Sequence, residues 1–318
     1  MPSEFELIER HFKRGTRHTV VGCGDDGAVI RPTPSCELVV STDMLVAGTH
    51  FLADVDPLDL GWKTLAVNVS DLAAMGATPR WALLAAALPA ATESWIMAFA
   101  RGFFACADAF GIDVVGGDTT RGPRNFCVTI FGEVPAGQAL LRSGAKPGDE
   151  IWVSGKPGLA ALGLAHLQGR CGLAEPARAE CIGALLRPQP RVALGLRLRG
   201  LASAAIDVSD GLLADLGHIL KASGVGATVH EERLPAAALE AGANTTLAHE
   251  CLIAGGDDYE LLFTAPAARR DEVIAVGNDL RLALTRIGSV EDRAAGGLRL
   301  LSAGGVELPI QRGYDHFG

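Results

Sequence analysis

Repeatedly in this chain a short apolar segment runs into an aspartate flanked by glycine, serine or threonine. Val21-Gly22-Cys23-Gly24 leads to Asp25 and Asp26, and residues 38–42 lead to Asp43. Val114-Val115-Gly116-Gly117 ends in Asp118, Ala205-Ile206 leads to Asp207 and Asp210, and Ile253-Ala254-Gly255-Gly256 leads to Asp257 and Asp258. Each reads as a β-strand stopping at a turn. Ligands of α/β folds commonly sit outside strand carboxyl ends, so a fold that lines these ends along one edge gathers carboxylates in one cavity. Taken singly, aspartate beside glycine is also ordinary turn chemistry.

Helical patterns lie between these segments. The spacing predicts a helix over 58–75, with Asp56 as cap, Pro57 in the first turn and Gly76 as stop, and a second over 92–110 closed by Gly111. Strands are expected at 18–21, 38–41, 82–88, 112–115 and 126–134. The glycine- and charge-rich stretch 137–148 reads as a junction, after which the pattern restarts. Strands then follow at 150–153, 204–206, 226–230, 259–264 and 285–290, with helices at 159–167, 177–186, 191–198 and 211–222. Two α+β halves with mixed sheets, 1–137 and 138–318, fit this order better than one uniformly parallel sheet. A chain of 318 residues that is 48% hydrophobic can fill two such cores.

Lys+Arg 28 against Asp+Glu 37 gives a net charge of −9, which excludes a broadly basic nucleic-acid surface. Aromatics at 5% argue against stacking platforms for single strands. No apolar run approaches the roughly 20 residues that cross a bilayer. The first residues lack the basic start and apolar stretch of a signal peptide, and the seven cysteines show no CxxC spacing. The expectation is a reduced, cytoplasmic protein with small buried thiols, without nucleic-acid or membrane partners.

Clustered carboxylates cannot all stay ionised without counter-charge. Hard oxygen donors with neighbouring hydroxyls suit Mg²⁺, which keeps waters and bridges substrate phosphates. The pattern therefore predicts a phosphate site with several magnesium ions. Asn68 and Asp71 are three apart on one face of an otherwise apolar helix, costly to bury unless satisfied, or else a solvated face. Arg142 and Lys146 near the junction are candidate phosphate partners, or part of an exposed charged loop. Other motifs fail on context. Gly22 to Gly27 matches GxGxxG, but Pro32 and Pro34 disfavour the helix that must follow, and two aspartates repel a pyrophosphate. Gly155-Lys156 lacks Walker A spacing, and His230-Glu231-Glu232-Arg233-Leu234 fails HExxH at its last position.

In order, Gly24-Asp25-Asp26-Gly27-Ala28, Ser41-Thr42-Asp43-Met44 within 41–51, and the stretches 63–77, 116–122, 142–149, 186–191, 206–212, 255–261 and 313–317 together resemble the thiamine-monophosphate kinase family. That family belongs to the superfamily that includes aminoimidazole ribonucleotide synthetase. The resemblance implies an α/β (α+β) fold of two domains. The N-terminal domain (1–137) would be a mixed sheet with helices that pairs into a barrel in a homodimer, and would bind metal and ATP. The C-terminal domain (138–318) would be α+β, with ATP lying between the two. The implied reaction is transfer of the ATP γ-phosphoryl group to thiamine monophosphate.

By the same resemblance, Asp26, Ser41, Thr42, Asp43, Asp71, Asp118, Asp207 and Asp210 would carry Mg²⁺, with Asp43, Asp118 and Asp210 central to catalysis. Gly117, Asp118, Arg142 and Ser209 would contact ATP. His50, Asp257 and Tyr314 would contact thiamine monophosphate, with Asp257 where the family usually has Glu. His50 beside Phe51 also reads as a packed or capping residue. Cys23 has no following Lys, unlike a selenophosphate synthetase loop, and the chain does not end in the reactive Cys of a carbamoyl dehydratase. A metal-dependent phosphatase and a non-catalytic nucleotide-binding protein are the remaining alternatives.

Overall fold

The computed structural model describes residues 4–241, 244–310 and 313–314. The chain divides into two units, one of residues 1–72 and 77–137, the other of residues 73–76 and 138–318. The first contains, in order, α1 (Glu4–His11), β1 (Thr19–Val21), β2 (Val29–Ile30), β3 (Cys36–Val46), α2 (Pro57–Ala74), β4 (Thr78–Leu88), α3 (Glu93–Phe110), β5 (Asp113–Arg121) and β6 (Asn125–Pro135).

Its four-stranded sheet has the order β3-β6-β4-β5. Only β4 and β5 run parallel, joined by the crossover helix α3 that such a pair requires. Alternate side chains point to opposite faces. Leu45, Leu84, Phe126, Val128 and Ile130 are buried, as are Val69 and Leu72 of α2 and Phe99 and Phe103 of α3. The Phe99 and Phe126 rings stack at 4.5 Å, tying α3 to the sheet. The opposite face is different: Leu38, Val40 and Met44 are 40%, 54% and 54% exposed.

The helix signals act as the sequence suggests. The Asp56 carboxylate accepts from the Leu58 N–H at 2.7 Å, and Gly111 closes α3 in the left-handed conformation at φ 67°. Two strands run further than expected. Gly116-Gly117-Asp118 reads locally as a turn, but pairing with β4 carries β5 on to Arg121. Likewise β6 pairs with β3 through Val46. Asp43 and Asp118 therefore lie within strands, not beyond their ends.

The second unit contains β7 (Asp149–Ser154), α4 (Leu159–Leu167), α5 (Ala177–Leu186), α6 (Val192–Leu198), β8 (Ala204–Asp207), α7 (Leu212–Ser223), β9 (Gly226–His230), α8 (Ala237–Glu240), α9 (Thr245–Ala254), β10 (Leu261–Pro266), α10 (Arg270–Leu280), β11 (Leu284–Glu291), β12 (Leu298–Leu301) and β13 (Glu307–Leu308). The seven-stranded sheet has the order β13-β12-β9-β11-β7-β10-β8, antiparallel except between β12 and β9.

Both faces of this sheet are covered, and strand alternation sorts the core into two clusters. Ile151, Val153, Ile206 and Leu262 pack with α4, α7 and α9, while Trp152, Ala205, Leu261 and Phe263 pack with α6 and α10. β10 begins later than expected because Asp257 and Tyr259 sit at φ 68° and 52°, a conformation no strand accommodates. Helices α1, α8, α9 and α10 lie outside the sequence reading, since short segments carry little periodic signal. All seven cysteines are free. Among the described residues, no helix is long and apolar enough to cross a membrane.

Candidate active site

The expected site residues form three groups. The first lines a cavity of about 540 Å³ in the N-terminal unit, where Asp25 and Asp26 face Gly117 and Asp118 beside Cys23 and Phe131. Asp26 comes from the loop between β1 and β2, and Asp118 from β5. Gly117 has φ 153°, and a Cβ there would lie 1.8 Å from the Leu84 carbonyl oxygen. Only glycine lets β5 approach β4 this closely just before Asp118.

The second group sits where β3 meets α2. The Ser41 hydroxyl donates to the Asp71 carboxylate. One residue pair along, the Asp43 N–H donates to Asn68 Oδ1 at 3.0 Å, and Asn68 Nδ2 donates to the Thr64 carbonyl at 3.1 Å. Asn68 is fully buried and Asp71 partly so, and both bond to β3, with Asn68 also bonded back to its own helix. Thr42 faces the other way, as strand alternation demands: its hydroxyl donates to the Val128 carbonyl at 2.9 Å on the open side of the sheet.

These two groups are not brought together within the sheet. Asp43 pairs with Val128, Val128 with Leu84 and Leu84 with Gly117. Asp118 shares a row, and hence a face, with Ala85, Cys127 and Met44 instead. Asp43 and Asp118 thus point to opposite faces of strands separated by two others, a backbone spacing of about 14 Å at ~4.8 Å per strand.

The third group belongs to the C-terminal unit. Asp207 ends β8 and is buried; Ser209 and Asp210 follow in a turn. That turn is the hub of the group. The Ser209 carbonyl accepts from the Asp257 N–H at 2.9 Å, and the Asp210 carbonyl from the Tyr314 N–H at 3.0 Å. Ser209, Asp210, Asp257 and Tyr314 are therefore assembled by backbone bonds. A Cβ on Gly256 would lie 2.3 Å from the Ser209 carbonyl oxygen, so glycine is required where the two loops touch.

Sequence reasoning missed the residue that shapes this hub. Asp215, in the first turn of α7, is 2% exposed. Its Oδ2 accepts from the N–H groups of Ser209, Asp210 and Gly211 at 3.0, 3.1 and 3.2 Å. Burial, opposed by these donors and aided by the Asp210 charge, pushes its carboxyl up to about 6. A helix N-terminus following a strand is a natural anion cradle. Here the chain's own carboxylate fills it, so a substrate phosphate must be held by other groups. An acidic residue four positions after a Ser-Asp-Gly turn was the available signal.

Two further residues stand apart. His50 follows β3 in a tight turn and its Nδ1 accepts from the Val46 N–H at 3.0 Å, which leaves the neutral ring's proton on Nε2. Arg142 is exposed, on a segment whose carbonyl accepts from Ser223 Oγ at 3.2 Å. Among the described residues, no group of three or more His, Cys, Asp or Glu side chains forms a metal cage. The donors present are carboxylates and hydroxyls in ones and twos. That fits Mg²⁺, which binds through one or two carboxylates plus water and substrate phosphate, and does not fit softer metals.

Comparison with known proteins decides the family. Sequence profiles described as AIR synthase related protein, N-terminal and C-terminal domain, match residues 24–134 and 146–300. A thiamine-monophosphate kinase of Salmonella typhimurium is 47% identical, covering 99% of this chain and 98% of that protein. The chain belongs to the thiamine-monophosphate kinase family. The crystal structure of thiamine-monophosphate kinase from Stenotrophomonas maltophilia K279a, 48% identical, superposes with a TM-score of 0.84 over 93% of this chain and 94% of that one. The structure of AaThiL complexed with AMPPCP and TMP, 31% identical, gives 0.77 over 98% of this chain and 96% of that one. The two-domain α+β architecture is thus that of the thiamine-monophosphate kinase family.

Proposed function

We propose that the chain transfers the γ-phosphoryl group of ATP to thiamine monophosphate, giving thiamine diphosphate and ADP. The observation that carries this reading is the 47% identity to a thiamine-monophosphate kinase across 99% of the chain. It is supported by the complex of AaThiL, a 31% identical protein, with AMPPCP and TMP.

In this reading the acidic groups are the ion-binding half of the site. Asp26 and Asp118, Ser41 with Asp43 and Asp71, and Asp207 with Asp210 would hold the ions as three sets, while the Thr42 hydroxyl, bonded to the Val128 carbonyl, faces away from Asp43. Mg²⁺ held by these carboxylates would offset their charge, align phosphate oxygens and take up the charge that develops during transfer. Gly117, Asp118, Arg142 and Ser209 face ATP. Arg142 is exposed and supplies positive charge as a point of phosphate contact. His50, Asp257 and Tyr314 face thiamine monophosphate, whose cationic ring suits the Asp257 carboxylate.

No strong general base is needed, because the acceptor is an ionised phosphate. The residues position two anions for direct in-line attack, and positioning with electrostatics does most of the work in such transfers. The chain acts as a homodimer that buries the apolar face carrying Leu38, Val40 and Met44. The test is an ADP-release assay with product analysis. Thiamine diphosphate supports the kinase reading, and free phosphate without it overturns that reading. With a chiral γ-phosphorus, inversion supports a single in-line step; retention contradicts it and implies an aspartyl phosphate.

A further inference from the structure

The turn that carries Asp257 is held more tightly than presentation of one carboxylate requires. Two residues without glycine's freedom, Asp257 at φ 68° and Tyr259 at φ 52°, adopt left-handed conformations within three positions. Such a conformation is strained for a residue with a side chain and persists only where the surroundings enforce it. They do so here. The Asp257 N–H donates to the Ser209 carbonyl at 2.9 Å and the Tyr259 N–H to the Val208 carbonyl at 2.8 Å. Between them, the Asp258 carboxylate accepts from the Gly158 N–H at 2.7 Å. Directly after, buried Glu260 takes Arg191 Nε at 2.7 Å and the Ser154 hydroxyl at 2.5 Å.

Every one of these bonds fixes backbone or faces inward. One acts on the Asp257 carboxylate: the Tyr259 hydroxyl donates to Asp257 Oδ1 at 3.0 Å. The left-handed turn makes this possible, because in an extended strand residues two apart point the same way but stand roughly 6–7 Å apart along the chain. A hydrogen bond to an ionised carboxylate is among the stronger neutral-to-charged contacts and restricts its rotation. Aspartate has few rotamers, and a donor from a second residue favours those that keep the bond.

We infer that Tyr259 is a positioning residue for the acceptor side, orienting the Asp257 carboxylate toward the cationic part of the phosphate acceptor. This rests on the assignment of Asp257 to thiamine monophosphate made above. The backbone strain is the cost of bringing the phenol to the carboxylate, and the Ser209 latch connects the same turn to the ATP side. Loss of the hydroxyl removes this restraint on the carboxylate without removing its charge, so acceptor binding weakens while ATP binding does not.

The experiment measures steady-state kinetics and thiamine monophosphate titration calorimetry for wild type, Tyr259→Phe, Asp257→Asn and the double variant, with melting temperatures for all. The expected result is a rise of about five- to tenfold in the KM and Kd for thiamine monophosphate in Tyr259→Phe. The fall in kcat should be smaller, with the KM for ATP and the melting temperature unchanged. The double variant should be no worse than Asp257→Asn alone, since Tyr259 acts through that carboxylate. Equal effects on both substrates, full additivity, or wild-type acceptor binding in Tyr259→Phe would overturn the inference. Failure of the wild type itself to make thiamine diphosphate would instead overturn the functional reading, and this inference with it.

Discussion

The buried carboxylate of Asp215 accepts a hydrogen bond from the Ser209 N–H at 3.0 Å, and it holds Asp210 and Gly211 through the same oxygen. This one contact shapes a turn from which Asp257 and Tyr314 are hung. Replacing Asp215 by Ala takes the acceptor from one buried and two half-buried N–H groups and is expected to cost about 3 kcal/mol, while Asn, which keeps one acceptor oxygen, should cost about 1 kcal/mol. Urea unfolding of both variants measures this; equal and negligible losses would show that water replaces the carboxylate.

Asp113 anchors the segment before β1. Burial pushes its carboxyl up, but the N–H groups of His18 and Arg17 and the Thr19 hydroxyl outweigh burial and hold it below the usual aspartate range. A depressed folded-state value means that the ionised group stabilises the fold above the unfolded value near 4, and that this is lost as pH falls through the folded value. Asp113→Asn should therefore destabilise by about 2 kcal/mol at neutral pH, with the gap to wild type closing in acid. Denaturation at a series of pH values tests it, and a gap that widens in acid contradicts the sign.

Gly117→Ala places a methyl group 1.8 Å from the Leu84 carbonyl oxygen at a φ of 153°. The strand pair must part. We expect a loss of at least about 2 kcal/mol of stability together with weaker ATP binding, read by thermal unfolding with and without nucleotide.

On the proposed metal assignment, Asp43→Asn and Asp118→Asn are each expected to lower turnover by about a hundredfold or more, because each would remove a ligand from an ion that screens the phosphates. Asp118 is exposed and Asp43 half-buried, so both variants should melt near the wild-type temperature. Wild-type rates in either would remove it from the metal set.

Val40 and Met44 are each 54% exposed on the uncovered face of the N-terminal sheet. If the homodimer proposed above uses this face, Glu at both positions should leave a monomer in sedimentation velocity without unfolding the protomer, since like charges would meet in the contact. Unchanged sedimentation would place the contact elsewhere.

Much of this was legible from residue order. Asp56 and Gly111 bound their helices where local chemistry puts them, because capping is decided within four residues. The family motifs named the acidic residues as a set, with Asp215 outside it. Its partners are backbone N–H groups, which carry no residue identity for a sequence to display.

By itself, then, the sequence determined the two α+β halves, most helix and strand positions and the acidic character of the site, since these follow from periodicity and turn chemistry over short spans. Only the tertiary structure decided that Asp43 and Asp118 sit inside strands and face opposite sides of one sheet, and that Asp257, Tyr259 and Tyr314 converge on the 207–211 turn. Those facts depend on strand register and on backbone bonds between segments about 50 to 100 positions apart. Pairing of that kind is set by packing of the whole sheet rather than by any local preference.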